Sequence, residues 1–115
     1  MRGRDSRAYL ADAMAAAQAI QRFLAGRSFS QYAGDEVLRS AIERQFEIAG
    51  EALNRALKAD SGLAERLPEA PKVIAFRNVL AHEYAVVVDE TVYSVATFDI
   101  PVLVEQIHAL PEELP

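Results

Sequence analysis

Eight consecutive residues, Arg77-Asn78-Val79-Leu80-Ala81-His82-Glu83-Tyr84, bring together a permanent cation, a carboxamide, an imidazole and a phenol. Those types suit phosphate-ester cleavage. A guanidinium can hold phosphate oxygens in a bidentate fork and offset charge as it develops, while an imidazole, with an ordinary pKa of about 6.5, takes or gives a proton at neutral pH. Attack of an RNA 2′-hydroxyl on its own adjacent phosphorus needs only those two functions and no metal. The plainer alternative is that Arg77 and Tyr84 are helix-edge residues making hydrogen bonds, with His82 favoured by the negative end of a helix dipole.

Helical spacing sets the geometry. At about 100° per residue, Arg77 and Tyr84 point almost the same way and Asn78 shares a neighbouring face with His82, but Arg77 and His82 stand about 140° apart. Three resolutions are open. The helix can fray near Ala81, the long arginine can reach around it, or the same segment of a second chain can complete the site, as a C2 dimer would allow.

The elements that must position these groups follow from composition and periodicity. At 115 residues and 51% hydrophobic, the chain is sized for one core and is too apolar for a disordered one, so residues 1–115 read as a single domain. No apolar run approaches the roughly 20 residues of a membrane span, and the opening Met1-Arg2-Gly3-Arg4-Asp5 is not that of a secretory signal, so a cytoplasmic location is expected. The absence of cysteine removes disulfides, thiolate metal sites and cysteine nucleophiles.

A net charge of −5 argues against a broad basic face for phosphates. The distribution says more. Residues 1–60 hold nine Lys/Arg against eight Asp/Glu, whereas residues 61–115 hold three against nine. Polyanion contact is therefore expected to lean on the first half, where Arg2, Arg4, Arg7, Arg22 and Arg27 cluster.

Apolar spacing predicts a first helix from Asp5 to Leu24, with Asp5 or Ser6 as its cap, then a loop from Gly26 to Gly34. Asp35 is expected to cap a second helix running to about Ala59, followed by a short turn from Ser61 to Leu67. A third long helix should start near Pro71 and continue to about Tyr84. Ala85 to Val88 is short and β-branched but has no strand to pair with, which favours an ordered loop. Helical spacing returns from Asp89 to Ala109, with Pro101 forcing a kink or a restart capped by Asp99. The expected architecture is all-α, an up-and-down bundle of four to five helices.

Beyond spacing, Arg77, His82 and Tyr84 form an R-x4-H-x-Y pattern, and Arg77-Asn78-Val79-Leu80-Ala81-His82 closely resembles the R-N-x-L-A-H wording of HepT-type HEPN domains. Arg4, Asp5, Tyr9, Leu10 and Asp12 resemble that family's opening R-D-x-x-x-Y-L-x-D helix, and Glu47-Ile48-Ala49-Gly50-Glu51-Ala52 is similar to its E-I-x-G-E-A. Val88-Asp89 and Ile100-Pro101 resemble its V-D and L-P positions, so the resemblance covers about nine-tenths of the chain. Phe76, Glu83 and Tyr93 depart from the family's frequent methionine, glycine and tryptophan.

The resemblance implies a dimerising HEPN-type bundle that acts as the toxin of a type VII toxin–antitoxin pair, a metal-independent endoribonuclease. It implies Arg77 as the phosphate-binding residue, His82 as general base or acid, and Tyr84 as the residue AMPylated by a cognate antitoxin, an MntA-like minimal nucleotidyltransferase. Asn78 and Glu51 are the supporting candidates. The implied partners are an RNA substrate such as tRNA or mRNA, the antitoxin and a second copy of the chain, with no cofactor, metal or membrane. A helical module that only binds a nucleotide or a nucleotidyltransferase, with Arg77 as a phosphate grip, is the alternative.

Two further patterns compete. Glu105 and His108 have the Glu-x-x-His spacing of di-iron bundles, although a terminal-turn histidine accounts for it equally well. Glu43, Glu47 and Glu51 form a row with Arg39, Arg44 and Arg55 at pairing distance, and Glu47, Glu51 and Asn54 could line a groove facing the Arg77 segment. Tyr9 and Tyr32 read as core or interface aromatics.

Overall fold

A computed structural model describes residues 5–82 and 88–111 of the chain. Every regular element among them is helical: α1 (Ser6–Leu24), α2 (Phe29–Ala33), α3 (Glu36–Ala59), α4 (Leu63–Arg66), α5 (Ala70–Ala81), α6 (Asp89–Ser94) and α7 (Ile100–His108), with a π-helical turn, Val95–Asp99, joining the last two.

Capping chemistry starts the helices where the sequence places them. Asp5 accepts from the Ala8 amide at 3.1 Å and Asp35 from the Leu38 amide at 3.0 Å, each filling an amide that the first turn leaves orphaned. The interval from Gly26 to Gly34 is not wholly a loop, because α2 occupies Phe29–Ala33. Its start is a reciprocal box: Ser28 Oγ accepts from the Gln31 amide at 3.2 Å while Gln31 Oε1 accepts from the Ser28 amide at 2.8 Å. Gly26, at φ +72°, turns the chain out of α1 in a conformation that side-chain-bearing residues rarely adopt.

The core lies on α3, which packs most extensively against α1 and then against α5, while α7 lies against α1. Leu38, Ile42, Phe46, Ala49, Leu53 and Ala56 are its buried stripe. Opposite them α1 buries Ala13, Ala16, Ala17, Ala19 and Ile20, small residues that let the two helix axes approach closely. Burying Phe46 and Ile42 completely makes truncation of either expensive, about 2–5 kcal/mol per side chain. A second aromatic set ties α2 to α6: Tyr93 stands edge-on to Phe29 at 5.6 Å and tilted to Tyr32 at 5.7 Å, and its hydroxyl donates to the Arg27 carbonyl at 2.6 Å.

Two expectations are corrected in the last third. The helix opened by Ala70 and Pro71 stops at Ala81 rather than near Tyr84. Pro101 does force an interruption, but Asp99 makes no capping bond. Its carboxylate instead accepts from Lys72 Nζ at 3.4 Å. The interruption is the π turn itself, in which the Ile100 amide donates to the Val95 carbonyl five residues back, so that Pro101 falls in the first turn of α7 where no amide donor is required. Of the expected loop from Ala85 to Val88, only Val88 is within the described residues, as the extended residue that precedes α6.

Candidate active site

The docking of α5 on α3 decides where Arg77 points. Phe76 meets Phe46 edge-to-face at 5.0 Å and Val73 is fully buried, which turns the Arg77 side of α5 toward α3. There the arginine stem crosses the helix at Gly50. A Cβ on Gly50 would stand 2.4 Å from Arg77 Cβ and 2.6 Å from Cγ, closer than any side chain tolerates. A glycine in the middle of a 24-residue helix costs helix stability, and here it is required by the approach of another chain segment.

Past Gly50 the guanidinium meets a carboxylate and an amide. Nη2 lies 3.3 Å from Glu51 Oε1 and Nη1 donates to Asn78 Oδ1 at 3.0 Å. Nε is buried and has no hydrogen-bond partner among the described residues. Glu51 is shared, since it also accepts from Arg55 Nε at 2.8 Å. That hydrogen bond, with the charges of Arg55, Arg77 and Lys58, holds the Glu51 carboxyl below the usual carboxylate range. Arg55 in turn hydrogen-bonds Tyr9 on α1. Glu51 and Asn78, the two residues named beside Arg77 from the sequence, both contact its guanidinium directly.

His82 is placed differently. It is the residue at which α5 ends, with an extended backbone at φ −91° and ψ 109°, its amide donating to the Val79 carbonyl at 3.2 Å. Its side chain is exposed, as are Ala75, Asn78 and Val79, and these four positions share one face of α5. Arg77 lies off that face, 31% exposed. The helix does end at Ala81, but its ending there does not bring His82 into the space that Arg77 faces. Tyr84 and Glu83 lie outside the described residues, and the unbroken helix that would have aligned Tyr84 with Arg77 ends before either.

Arg77 forms one edge of an open cleft of about 750 Å³ between α1 and α3, whose walls include Tyr9, Asp12, Arg22, Glu47, Glu51 and Arg55. His82 is not among the residues lining it. Glu47 and Glu51 therefore do share a groove with Arg77, as periodicity suggested, whereas Asn54 does not line it. Tyr9 is a partly buried wall of this cleft. Tyr32 is wholly buried, its hydroxyl pushed above the usual phenol range by burial, with Glu43 and Asp89 adding to the effect.

Sequence reasoning did not single out Gly50 or Arg55 as parts of the site. A glycine interrupting the apolar face of an otherwise unbroken helix was the available signal. Among the described residues no three His, Asp or Glu side chains converge as metal ligands, Glu105 and His108 included.

A family model described as ribonuclease HepT-like matches residues 14–110. Two proteins of Methanocaldococcus jannaschii are similar along almost their whole length. The one provisionally named RNase MJ1380 is 26% identical over 109 residues, covering 93% of this chain and 97% of that protein. The one provisionally named RNase MJ0125 is 25% identical over 113 residues, covering 96% of this chain and 95% of that protein. No solved structure gives a significant match.

Proposed function

Because the chain belongs to the family of HepT-like ribonucleases, we propose that it is an endoribonuclease that cuts RNA with Arg77 and His82 and without a metal ion. The observation that carries this reading is the fixed guanidinium: Arg77 is seated over Gly50, steered by Glu51 and Asn78, and opens onto the α1–α3 cleft. A cation held in that way can grip a phosphate without first being ordered. In the reaction His82 removes the proton of the RNA 2′-hydroxyl, the 2′-oxygen attacks the neighbouring phosphorus, and the P–O5′ bond breaks as the 5′-oxygen takes a proton from water, to which the His82 imidazolium returns its own. The products are a 2′,3′-cyclic phosphate and a 5′-hydroxyl end. Arg77 offsets the charge on the phosphorane as it forms.

The outer face of α5 carries His82 together with Ala75, Asn78 and Val79, a small and partly apolar surface suited to self-contact. A homodimer formed across it would place two His82 side chains near the twofold axis. In the cell the protein acts as a toxin of a type VII toxin–antitoxin pair, on tRNA or mRNA. An MntA-like nucleotidyltransferase neutralises it by AMPylating Tyr84, two residues from His82 in sequence, where a bulky anion would exclude the substrate phosphate.

The test is cleavage of RNA in excess EDTA by the wild-type protein and by Arg77→Ala and His82→Ala, alongside growth arrest on expression. Cyclic-phosphate products and growth arrest that both variants lose are expected. Arrest unaffected by either change, with no cleavage by the wild type, would leave the non-catalytic nucleotide- or nucleotidyltransferase-binding module as the reading. For the regulatory half, intact mass after co-expression with a nucleotidyltransferase should rise in AMP units, and Tyr84→Phe should abolish the rise.

A further inference from the structure

We infer that the cleft between α1 and α3 is a nucleotide subsite, which holds the RNA residue next to the phosphate gripped by Arg77. This rests on the ribonuclease reading above and extends it along the cleft away from Arg77, which forms one edge of it. Four arginines line the cleft, Arg22 from the last turn of α1, Arg44 and Arg55 from α3, and Arg77. They gather there in a chain whose net charge is −5.

Three carboxylates face them, Asp12, Glu47 and Glu51. Glu47 is paired with Arg44 at 3.4 Å, and Glu51 is divided between Arg55 and Arg77. Arg22 is exposed at the end of α1 and has no carboxylate partner among the described residues. The cleft is therefore net cationic by one charge, four Arg against three acids, and its walls come entirely from the first half of the chain apart from Arg77 itself. That is the half in which the basic residues balance the acidic ones, although the protein as a whole repels polyanions.

Shape and lining favour a nucleotide over a bare anion. The volume of about 750 Å³ falls inside the range of about 300–1,000 Å³ that small-ligand sites occupy. Alanines on both helices line the cleft together with the rings of Tyr9 and Phe23, aromatic faces of the kind on which an unpaired base stacks. Carboxylates held by arginines along the same wall can accept from the exocyclic amino groups of a base. A single RNA strand could then run from Arg22 along the cleft to Arg77, alternating phosphate contacts with one stacked base.

The test uses the full chain carrying His82→Ala, so that RNA is bound but not cut, and a short fluorescein-labelled single-stranded RNA of mixed sequence read by anisotropy across a potassium chloride series. Arg22→Gln should lower the slope of log affinity against log salt by about 0.7, the value of one single-strand phosphate contact. Tyr9→Ala should weaken binding about 5- to 150-fold, as expected for one lost stacking contact. If Tyr9→Ala does not fold, exposed Arg22 carries the test alone.

Affinity and salt slope unchanged in Arg22→Gln and Tyr9→Ala, with Arg77→Ala still weakening RNA binding, would overturn the subsite and leave the ribonuclease reading standing. A wild-type protein that neither binds nor cuts RNA would remove both. If the same substitutions shift the oligomeric state by light scattering and leave RNA affinity alone, the cleft is covered by a second copy of the chain and the inference is wrong.

Discussion

Arg77 and His82 are five residues apart, yet the fold treats them in opposite ways. The arginine is pressed into the body of the molecule, its stem against the backbone of α3 at Gly50 and its guanidinium between Glu51 and Asn78. The histidine sits at an exposed helix end on the outer face of α5. One half of the proposed chemistry is thus built into the monomer, and the other is presented outward. A phosphate grip benefits from rigidity because charge must be met in a fixed place, whereas a proton carrier at a helix end can be brought into register by substrate or by a second chain.

The largest expected effects test whether these two ends form one site. Arg77→Ala and His82→Ala should each slow RNA cleavage by about 100- to 10,000-fold. The double variant should be little slower than the worse single one, since groups that act as a unit are not additive. Stability should separate them: His82→Ala should change it by less than about 0.5 kcal/mol, and Arg77→Ala should cost about 1 kcal/mol through the lost packing of its stem. Equal costs in chemical denaturation would break the comparison.

Gly50→Ala attacks the fixed end while leaving both catalytic functional groups in the sequence. The new methyl would meet Arg77 Cβ at 2.4 Å, so α5 must shift relative to α3, at a cost of about 1–3 kcal/mol. Cleavage should fall at least about tenfold, as misplacement of a positioned group ordinarily causes. An unchanged melting temperature with full activity would show that the Arg77 end is not fixed at all.

Smaller effects sharpen the picture. Tyr32→Phe removes a buried hydroxyl that lacks a partner among the described residues, in the aromatic set around Tyr93. Stability should stay the same or rise by up to about 1 kcal/mol with cleavage intact, which calibrates the losses at Gly50. Glu51→Gln should cost about 0–1 kcal/mol, because the pair is 31% and 40% exposed. The Glu51 carboxyl is held low in the folded protein, so its contribution is present above the ordinary value of 4.5 and is lost as pH falls through the lowered one. The melting curves of Glu51→Gln and the parent should therefore converge in acid and separate toward neutral pH.

Helix existence was legible because it depends on local chemistry that a linear sequence displays: Asp5 and Asp35 as caps, Pro71 and Pro101 as first-turn residues, and apolar stripes on α1 and α3. The α2 helix was equally local, with Ser28 and Gln31 at capping-box spacing, but the flanking glycines masked it. The seating of Arg77 was not local. Periodicity gives the angle between two residues of one helix, whereas the face that docks depends on Phe76 meeting Phe46 thirty residues earlier in the chain. Gly50 was readable as an anomaly in a long helix, yet nothing in the sequence named Arg77 as the residue that needed the space. The placement of Asp99 failed for a similar reason, since Lys72, its partner, comes from another element.

The π-helical turn between α6 and α7 limits which changes of length this chain can absorb. One amide bridging five residues back instead of four means that the stretch holds a surplus residue, and α7 beyond it is rotated by about 100° relative to an uninterrupted helix. That offset lets Tyr93 face α2 while Ile100 and Leu103, further along the same rod, are buried against the core. Deleting one residue between Val95 and Asp99 would restore regular winding while leaving Ile100 and Leu103 directed into the interior, so this short stretch should tolerate a single-residue deletion that, in a regular stretch of helix, would rotate every later side chain by about 100°.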